Sequence, residues 1–294
     1  MLLLERLIHP DAKLSQNQTD VARWLIAHRD EVANVTVKRI AAETYTSPAT
    51  VVRLAKALGY DGFEDMRQAF VAENNYLHQH FTGVDANQPF SPADGPTTIA
   101  AKLASLARET VDDTLSLLDA ATLERATDLL DAADTIHMAA VSFPVLYAQD
   151  FQMKLRRLGR RVELITLVGE PAFAENLVRP GDCALVISYS GTTPATLDAA
   201  RMYRRCGIPL IALTSMGSNP LRALANVTLT LTTRERLFRK VAGFTSELSC
   251  KLTLDTLYGC LFARHAKEFA RAKEQVSQHA EPGRTSNSAI LRED

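Results

Sequence analysis

The sequence predicts an all-α N-terminal domain followed by a three-layer α/β domain, in which helices cover both faces of a five-stranded parallel sheet with flavodoxin-like strand order. Three observations predict this arrangement. Residues 1–80 contain helical segments without an alternating strand pattern, a stretch rich in proline and glycine follows, and beyond residue 134 short apolar runs alternate with helix-length segments. A chain of 294 residues accommodates two domains of about 100–200 residues each.

Changes in composition predict the domain boundaries. The segment 82–97 contains three prolines, two glycines and few bulky apolar side chains, which is typical of a linker. Helical spacing of apolar residues returns at 98–118 and 121–133, and the polar C-terminal residues lack periodicity. The predicted parts are a helix-turn-helix domain at 1–80, a linker at 81–97, an α/β domain at 98–268 and a flexible tail at 269–294.

The α/β domain is predicted from five short apolar runs separated by amphipathic helical segments. This β-α-β alternation favours a parallel sheet with helices on both faces. The predicted strands are 135–141, 161–166, 183–189, 209–215 and 226–232, and the main helices around them are 145–158, 194–206 and 244–266.

Composition excludes several classes of protein. The 33 basic and 34 acidic side chains leave a net charge of -1, so any nucleic-acid contact must come from a local surface. No apolar run approaches the ~20 residues that cross a bilayer, so we expect no membrane partner. The four cysteines form no CxxC pair and lack metal-ligand spacing, which predicts a reduced, cytoplasmic protein without metal or cofactor.

The segment 37–60, VKRIAAETYTSPATVVRLAKALGY, has the pattern of two short helices joined by a turn. Ser47 is placed to cap the second helix, and Pro48 falls at its first position, where the missing N–H costs nothing. Small residues and cations on the outward face of such a helix suit base edges and phosphates of double-stranded DNA. The predicted DNA-contacting residues are Ser47, Pro48, Ala49, Thr50, Arg53 and Lys56.

A helical hairpin with a solvated basic face is the alternative interpretation of this segment. Residues 1–80 contain nine Lys and Arg against ten Asp and Glu, which gives the whole domain no positive charge. The acids are concentrated at 30–31 and 61–65, however, so the proposed contact face is positive. A dimer would double the number of phosphate contacts.

A second cluster of polar residues, SYSGTTP at 188–194, follows the third predicted strand and precedes a helix. Hydroxyl groups, a glycine that permits close backbone approach and a helix N-terminus with free N–H groups together form an anion site. In an open parallel sheet, ligands bind beyond the carboxyl ends of the strands where the strand order reverses. The alternative is a helix cap with spare hydroxyls. The candidate ligand residues here are Ser188, Ser190, Gly191, Thr192 and Thr193.

The stretch TSPATVVRLAKALGYDGFEDMRQAF resembles the N-terminal domain of the RpiR family of bacterial transcription regulators, and the resemblance covers residues 1–80. In that family a linker and a sugar-isomerase (SIS) domain follow, and the segments 188–193 and 148–159 of this chain are similar to SIS sequences. The resemblance implies that Ser188, Ser190 and Thr193 hold a phosphate, with Thr192 as a weaker candidate.

One loop departs from the SIS pattern. A glycine-x-glycine-x-serine loop usually follows the first strand, whereas this chain has AVSFP at 140–144, where Ser142 still offers a hydroxyl. The resemblance also implies a carboxylate near the start of the helix at 244, where Glu247 can accept hydrogen bonds from a sugar or act as a base. A first-turn glutamate favoured by the helix dipole is the alternative for Glu247.

The resemblance implies a non-enzymatic regulator of carbohydrate metabolism that binds an operator in double-stranded DNA and senses a phosphorylated sugar. Two half-sites of a palindrome need two recognition helices, so we expect a homodimer or homotetramer. A sugar-phosphate isomerase of the SIS type is the first alternative, and a scaffold that has lost its ligand is the second.

Overall fold

The computed structural model describes residues 3–8, 10, 14–80, 83–167 and 169–280. Its N-terminal part is helical, as predicted. The elements there are α1 (Leu3–Ile8), α2 (Gln16–Ala27), a 3₁₀ segment (Arg29–Asn34), α3 (Val37–Glu43), α4 (Pro48–Ala57) and α5 (Phe63–His80).

Local caps explain where these helices begin. Ser15 and Gln18 form a reciprocal capping box at α2, and the Thr36 hydroxyl accepts a hydrogen bond from the Arg39 N–H at α3. The buried faces meet in one apolar core that includes Trp24. The largest fully buried side chains of this core are Leu3, Leu25, Ile40, Leu54, Met66 and Phe70.

Two long helices lead into the α/β domain, and their bounds lie within two residues of the prediction: α6 (Pro96–Leu117) and α7 (Ala120–Ala132). The sheet contains β1 (Thr135–Ala140), β2 (Arg161–Ile165), β3 (Cys183–Ile187), β4 (Leu210–Ser215) and β5 (Val227–Leu231). All four pairings are parallel and the order is β2-β1-β3-β4-β5, which confirms the flavodoxin-like arrangement.

Burial along the strands follows their position in the sheet. The central strands β3 and β4 are buried at every residue, whereas the edge strand β5 alternates between buried and partly exposed residues. This difference arises because helices cover both faces of the sheet but leave its edges less protected. The covering helices are α8 (Pro144–Arg156), α9 (Glu170–Ala174), α10 (Pro194–Arg205), α11 (Pro220–Leu224) and α12 (Phe244–Arg264).

The predicted flexible tail at 269–294 is wrong in its first part, because helix α13 (Ala266–Ala280) extends into it. The physical reason is Phe269, which is buried and packs against the rings of Phe262 and His265 at centroid distances of 6.1 and 5.2 Å. Phe269 therefore anchors the first turn of this helix. Residues 281–294 lie outside the described residues.

Within the described residues, the predicted linker packs against the α/β domain. Asn87 accepts a hydrogen bond from the Arg236 N–H through Oδ1 (2.6 Å) and from the Val241 N–H through its carbonyl (2.9 Å). Phe90 meets Phe244, the first residue of α12, edge to face at 6.3 Å between ring centroids. In the described part of the chain, no helix is long and apolar enough to cross a membrane.

Candidate functional sites

Helix α4 presents the first candidate site. The Ser47 hydroxyl accepts a hydrogen bond from the Thr50 N–H at 3.2 Å, and Pro48 occupies the first helical position. Opposite the buried stripe lies a face of small and basic residues, which we call the exposed face of α4. Its members are Ser47, Pro48, Ala49, Arg53 and Lys56, all exposed as the sequence predicts.

Thr50 is a correction, because its side chain is buried and does not belong to the exposed face. Its hydroxyl lies 3.0 Å from the Ser47 hydroxyl and accepts a hydrogen bond from Arg53 Nη2 at 3.3 Å. At about 100° per residue, Thr50 lies about 40° around the helix from the buried Leu54 and about 60° from Arg53, so it stands at the border between the buried stripe and the exposed face. Thr50 therefore orients Arg53 and does not itself face outward.

Tyr45, in the turn before α4, was missed by the sequence analysis. Its side chain is 96% exposed, and its φ of 52° lies in the left-handed region that glycine prefers. A bulky residue held in this conformation costs about 1–2 kcal/mol, and such outliers concentrate at functional sites. The available signal was an aromatic residue in a tight turn between two helices.

The acidic groups near this site are already paired. Glu43 accepts hydrogen bonds from Arg39 Nε at 2.7 Å and from the Trp24 indole at 2.8 Å, and Arg39 also binds Glu31. These two donors, with Arg39 the stronger, hold the pKa of Glu43 below its usual value. Within the described residues, by contrast, no carboxylate forms an ion pair with Arg53 or Lys56. Their charges are therefore available to phosphates.

The second candidate site begins at the carboxyl ends of β1 and β3. Ala140 pairs with Ile187 in the parallel register, so the loops that follow these two strands start side by side. We call residues 188–193, after β3, the hydroxyl loop. In this loop the Ser188 hydroxyl donates to Thr193 Oγ1 at 3.2 Å, while the Ser190 and Thr193 hydroxyls lie 3.4 Å apart. The structure thus brings the three residues of the phosphate motif together.

Two further loop residues, Thr192 and Gly191, hold the backbone in place. The Thr192 N–H and hydroxyl both donate to Ser190 Oγ, at 3.2 and 3.0 Å. Gly191 has φ of 65°, and a Cβ there would lie 2.0 Å from Asn219 Oδ1. Only glycine satisfies both conditions.

Helix α10 follows the hydroxyl loop with an uncapped N-terminus. Thr193 is its N-cap residue but makes no side-chain cap hydrogen bond, because its hydroxyl points to Ser188 and Ser190. Pro194 at the first position has no N–H to satisfy. The next N–H groups of α10 lack an intrahelical acceptor, as at every helix start, and can bind an anion.

The loop after β1 retains an unusual backbone despite its altered sequence. Ser142 is exposed and has φ of 62°, the conformation that glycine adopts without strain. Its carbonyl accepts a hydrogen bond from the Val145 N–H, which starts α8. Among the described residues, no hydrogen bond joins the Ser142 side chain to the hydroxyl loop. Ser142 is therefore brought near the hydroxyl loop by the pairing of β1 with β3 and not by a hydrogen bond of its side chain.

Glu247 lies in the first turn of α12 and lines a cavity of about 30 Å³ together with Tyr147, Tyr189 and Ser246. The Tyr147 hydroxyl donates to Glu247 Oε2 at 2.7 Å. Burial, together with this carboxylate, raises the pKa of Tyr147 above its usual value. The other oxygen of Glu247 folds over Gly243, where a Cβ would lie 2.5 Å from it.

Glu235 is the main residue that the sequence analysis missed. Its buried carboxylate caps α12, accepting hydrogen bonds from the Ser246 N–H at 3.2 Å and the Thr245 hydroxyl at 2.9 Å. Lys240 Nζ lies 2.8 Å from its other oxygen. The Tyr189 hydroxyl donates to the Glu235 carbonyl at 2.9 Å, which ties the hydroxyl loop to this cap. No local pattern signals a capping carboxylate nine residues before its helix.

Comparison with known proteins agrees with this geometry. Residues 1–75 match the model of the helix-turn-helix domain of the rpiR family, and residues 130–257 match the model of the SIS domain. The chain is similar to the NanR protein of Vibrio vulnificus, solved in complex with ManNAc-6P, at 24% identity and a TM-score of 0.63, over 97% of this chain and 100% of that one.

Two further solved structures share the fold of the α/β domain. The sugar isomerase domain of an RpiR transcription factor from Sphaerobacter thermophilus has 20% identity and a TM-score of 0.55, over 61% of this chain and 98% of that one. An Escherichia coli protein, solved as a complex with a small molecule, has 14% identity and a TM-score of 0.53, over 63% of this chain and 100% of that one.

Fold, site and domain order together define a class: proteins that join an N-terminal helix-turn-helix domain to a SIS domain. Within this class, the N-terminal match is to the rpiR type. The chain therefore joins a helix-turn-helix domain of the rpiR family, over residues 1–75, to a SIS domain, over residues 130–257.

Proposed function

We propose that this regulator binds operator DNA through the exposed face of α4 and responds to a phosphorylated sugar bound at the hydroxyl loop. The observation that carries the proposal is the uncapped N-terminus of α10 beside the clustered hydroxyls of Ser188, Ser190 and Thr193. Hydroxyls and N–H groups at a helix N-terminus provide donors and a favourable dipole for a phosphate without a cation. The NanR complex with ManNAc-6P supports a ligand of this class.

The sugar part of the ligand has polar partners across the cavity. Glu247 can accept hydrogen bonds from sugar hydroxyls. The Tyr147 and Ser246 hydroxyls donate to Glu247 and Glu235, and their oxygens can accept hydrogen bonds from the sugar. Because the cavity measures about 30 Å³, a sugar ring requires α12 or the hydroxyl loop to move when it binds. That movement is the physical basis for a signal.

Operator binding is assigned to Arg53 and Lys56, with Ala49 allowing close approach to the bases and Tyr45 at the entry to the helix. Two copies of this helix are needed for a palindromic operator, so the functional unit is a homodimer or homotetramer. A regulator that meets both DNA and metabolites works in the cytoplasm.

The strap, residues 234–243, provides a route between ligand and DNA. At one end Tyr189 of the hydroxyl loop binds the Glu235 backbone, through its carbonyl at 2.9 Å and its N–H at 3.2 Å. At the other end Asn87, in the segment between α5 and α6, binds Arg236 and Val241. Movement of the loop therefore reaches the segment that carries the DNA-binding domain.

The ligand assignment is tested by calorimetric titration of sugar monophosphates into the wild type, Ser190→Ala and, as control, Ser105→Ala on α6. We expect binding to the wild type and the control, and at least about tenfold weaker binding to Ser190→Ala, because a direct phosphate donor is lost. Equal affinity for all three proteins would contradict the placement of the site. Absence of binding to any of them would leave the scaffold alternative.

The proposed route is tested with Asn87→Ala, using Gln88→Ala, at an exposed neighbouring position, as control. We expect Asn87→Ala to bind ligand normally but to lose the change in operator affinity that ligand causes in the wild type. A response that survives in Asn87→Ala would show that the signal takes another path.

A sugar-phosphate isomerase is the second candidate function, and the observation that favours it is a carboxylate, Glu247, in the cavity beside the loop. A coupled assay with hexose and pentose phosphates separates the two. Turnover that Glu247→Gln abolishes would establish an enzyme, whereas ligand-dependent thermal stabilisation without turnover supports a sensor.

A further inference from the structure

Helix α12 lines the cavity with Ser246, Glu247 and Cys250, and helix α10 follows the hydroxyl loop, whose Tyr189 also lines this cavity. The N-termini of these two helices are satisfied in different ways. Helix α10 has no side-chain cap hydrogen bond, whereas α12 is capped by the buried carboxylate of Glu235. The Ser246 hydroxyl also donates to Glu235 Oε2, which occupies both carboxylate oxygens. An anion is therefore already built into the α12 end of the site, where it takes up the N–H groups that a ligand would need.

The cavity wall at this end is also negative. The eight lining residues include one carboxylate, Glu247, and neither lysine nor arginine. The strap contains four cations, Arg234, Arg236, Arg239 and Lys240. Of these, Lys240 is bound to Glu235 and lies 5.2 Å from the centre of the Tyr189 ring. A second anionic group on the ligand would meet Glu247 without a partner, and like charges that face each other in a closed site repel strongly.

We propose that the ligand carries a single phosphate at the hydroxyl loop and an uncharged, hydroxyl-bearing far end at Glu247, so that bisphosphates and phosphosugar acids are rejected. This inference rests on the proposed function, since it assumes that the hydroxyl loop holds the phosphate. Glu247 is then a specificity-determining residue. As an acceptor it favours sugar hydroxyls, and as an anion it excludes a carboxylate or second phosphate.

The experiment compares dissociation constants of the full chain for inorganic phosphate, a panel of neutral sugar monophosphates, 6-phosphogluconate and fructose 1,6-bisphosphate. We expect at least one sugar monophosphate without a second anionic group to bind about tenfold or more tighter than inorganic phosphate. We expect 6-phosphogluconate and fructose 1,6-bisphosphate, which carry a second anionic group, to bind no tighter than inorganic phosphate. If either sugar with two anionic groups binds as tightly as the best sugar monophosphate, the inference is overturned while the proposed function stays intact. Failure of every phosphate compound, inorganic phosphate included, would refute both.

Glu247→Gln, with Glu163→Gln on the exposed side of β2 as control, isolates the charge. Glutamine still accepts a hydrogen bond, so we expect the ratio of 6-phosphogluconate affinity to neutral-sugar affinity to rise at least about tenfold in Glu247→Gln and to stay constant in Glu163→Gln. Because each ratio is measured within one folded protein, a general loss of affinity does not affect it. An unchanged ratio in Glu247→Gln would contradict the role of this carboxylate.

Discussion

Helices α4 and α10 begin with nearly the same pair of residues, but only the first of the two helices has a side-chain cap at its N-terminus. Ser47-Pro48 precedes the helix assigned to DNA, and Thr193-Pro194 precedes the helix assigned to phosphate. The Ser47 hydroxyl accepts a hydrogen bond from the Thr50 N–H at 3.2 Å. The Thr193 hydroxyl instead bonds to neighbouring hydroxyls of its loop, so the N-terminus of α10 has no side-chain cap. Nearly the same local sequence thus gives a side-chain cap in one domain and, in the other, an uncapped helix end that we propose as the phosphate site.

The reason lies in what surrounds each cap. Ser47 is exposed and has only its own helix to bond, whereas Thr193 is surrounded by the hydroxyls of Ser188 and Ser190. A residue held at positive φ accompanies each site: Tyr45 before α4, and Ser142 in the loop beside α10. We therefore assign DNA recognition to side chains of α4, whose N-terminus has a side-chain cap. We assign phosphate recognition to the backbone N–H groups of α10, whose N-terminus has none.

The largest effect is expected for Gly191→Ala, which alters the hydroxyl loop just before the uncapped N-terminus of α10. The new Cβ would combine a strained φ with a 2.0 Å approach to Asn219, and we expect a loss of about 2–4 kcal/mol in the free energy of unfolding together with loss of ligand binding. Urea denaturation measures the first and calorimetry the second.

Two control glycines separate the causes. Gly207 also has positive φ, 77°, but nothing lies within 4 Å of its added Cβ, and Gly62 has neither constraint. Gly207→Ala should therefore show the strain alone, and Gly62→Ala should not destabilise the protein. A Gly191→Ala variant as stable as Gly62→Ala would contradict the close packing of the loop on Asn219.

A pair of cap substitutions tests the comparison most directly. Ser47→Ala removes a cap hydrogen bond and should lower stability by about 1 kcal/mol, while Thr193→Ala removes none at the helix and should cost a few tenths. Their effects on ligand should be reversed, with affinity lost in Thr193→Ala and kept in Ser47→Ala. Equal stability losses measured by denaturation would mean that the two helix ends are alike.

Arg53→Ala should lower operator affinity and reduce the slope of log affinity against log salt by about one. Arg39→Ala is the matched control, because Arg39 is bound to Glu31 and Glu43 and has no charge to spare. Mobility-shift titrations over a range of salt concentrations measure both slopes. A larger change in Arg39→Ala than in Arg53→Ala would move the contact surface from α4 to α3.

The smallest effect is expected for Ser142→Gly. Glycine adopts the φ of 62° without strain, but it also gains freedom in the unfolded chain, so we expect a net stabilisation below about 1 kcal/mol. Thermal denaturation of this variant against the wild type provides the measurement. A marked destabilisation would mean that the Ser142 side chain supports the loop in a way its contacts do not reveal.

Prediction from sequence was accurate where a signal is local. The strands, their parallel order and the clustering of Ser188, Ser190 and Thr193 follow from apolar runs, alternation and a known loop motif. It was wrong for Thr50, whose burial depends on how α4 packs, and for residues 269–280, whose helix depends on one buried phenylalanine.

The amino-acid sequence by itself determined where the five strands and most of the helices around them begin and end, because caps, prolines and apolar periods act over a few residues. Only the tertiary structure decided that Glu235 caps α12, that Tyr189 binds Glu235 from 46 residues away, and that Asn87 reaches Arg236 across 149 residues. Such contacts form because the fold brings distant backbone groups together, and buried polar groups then take whichever partner lies within reach.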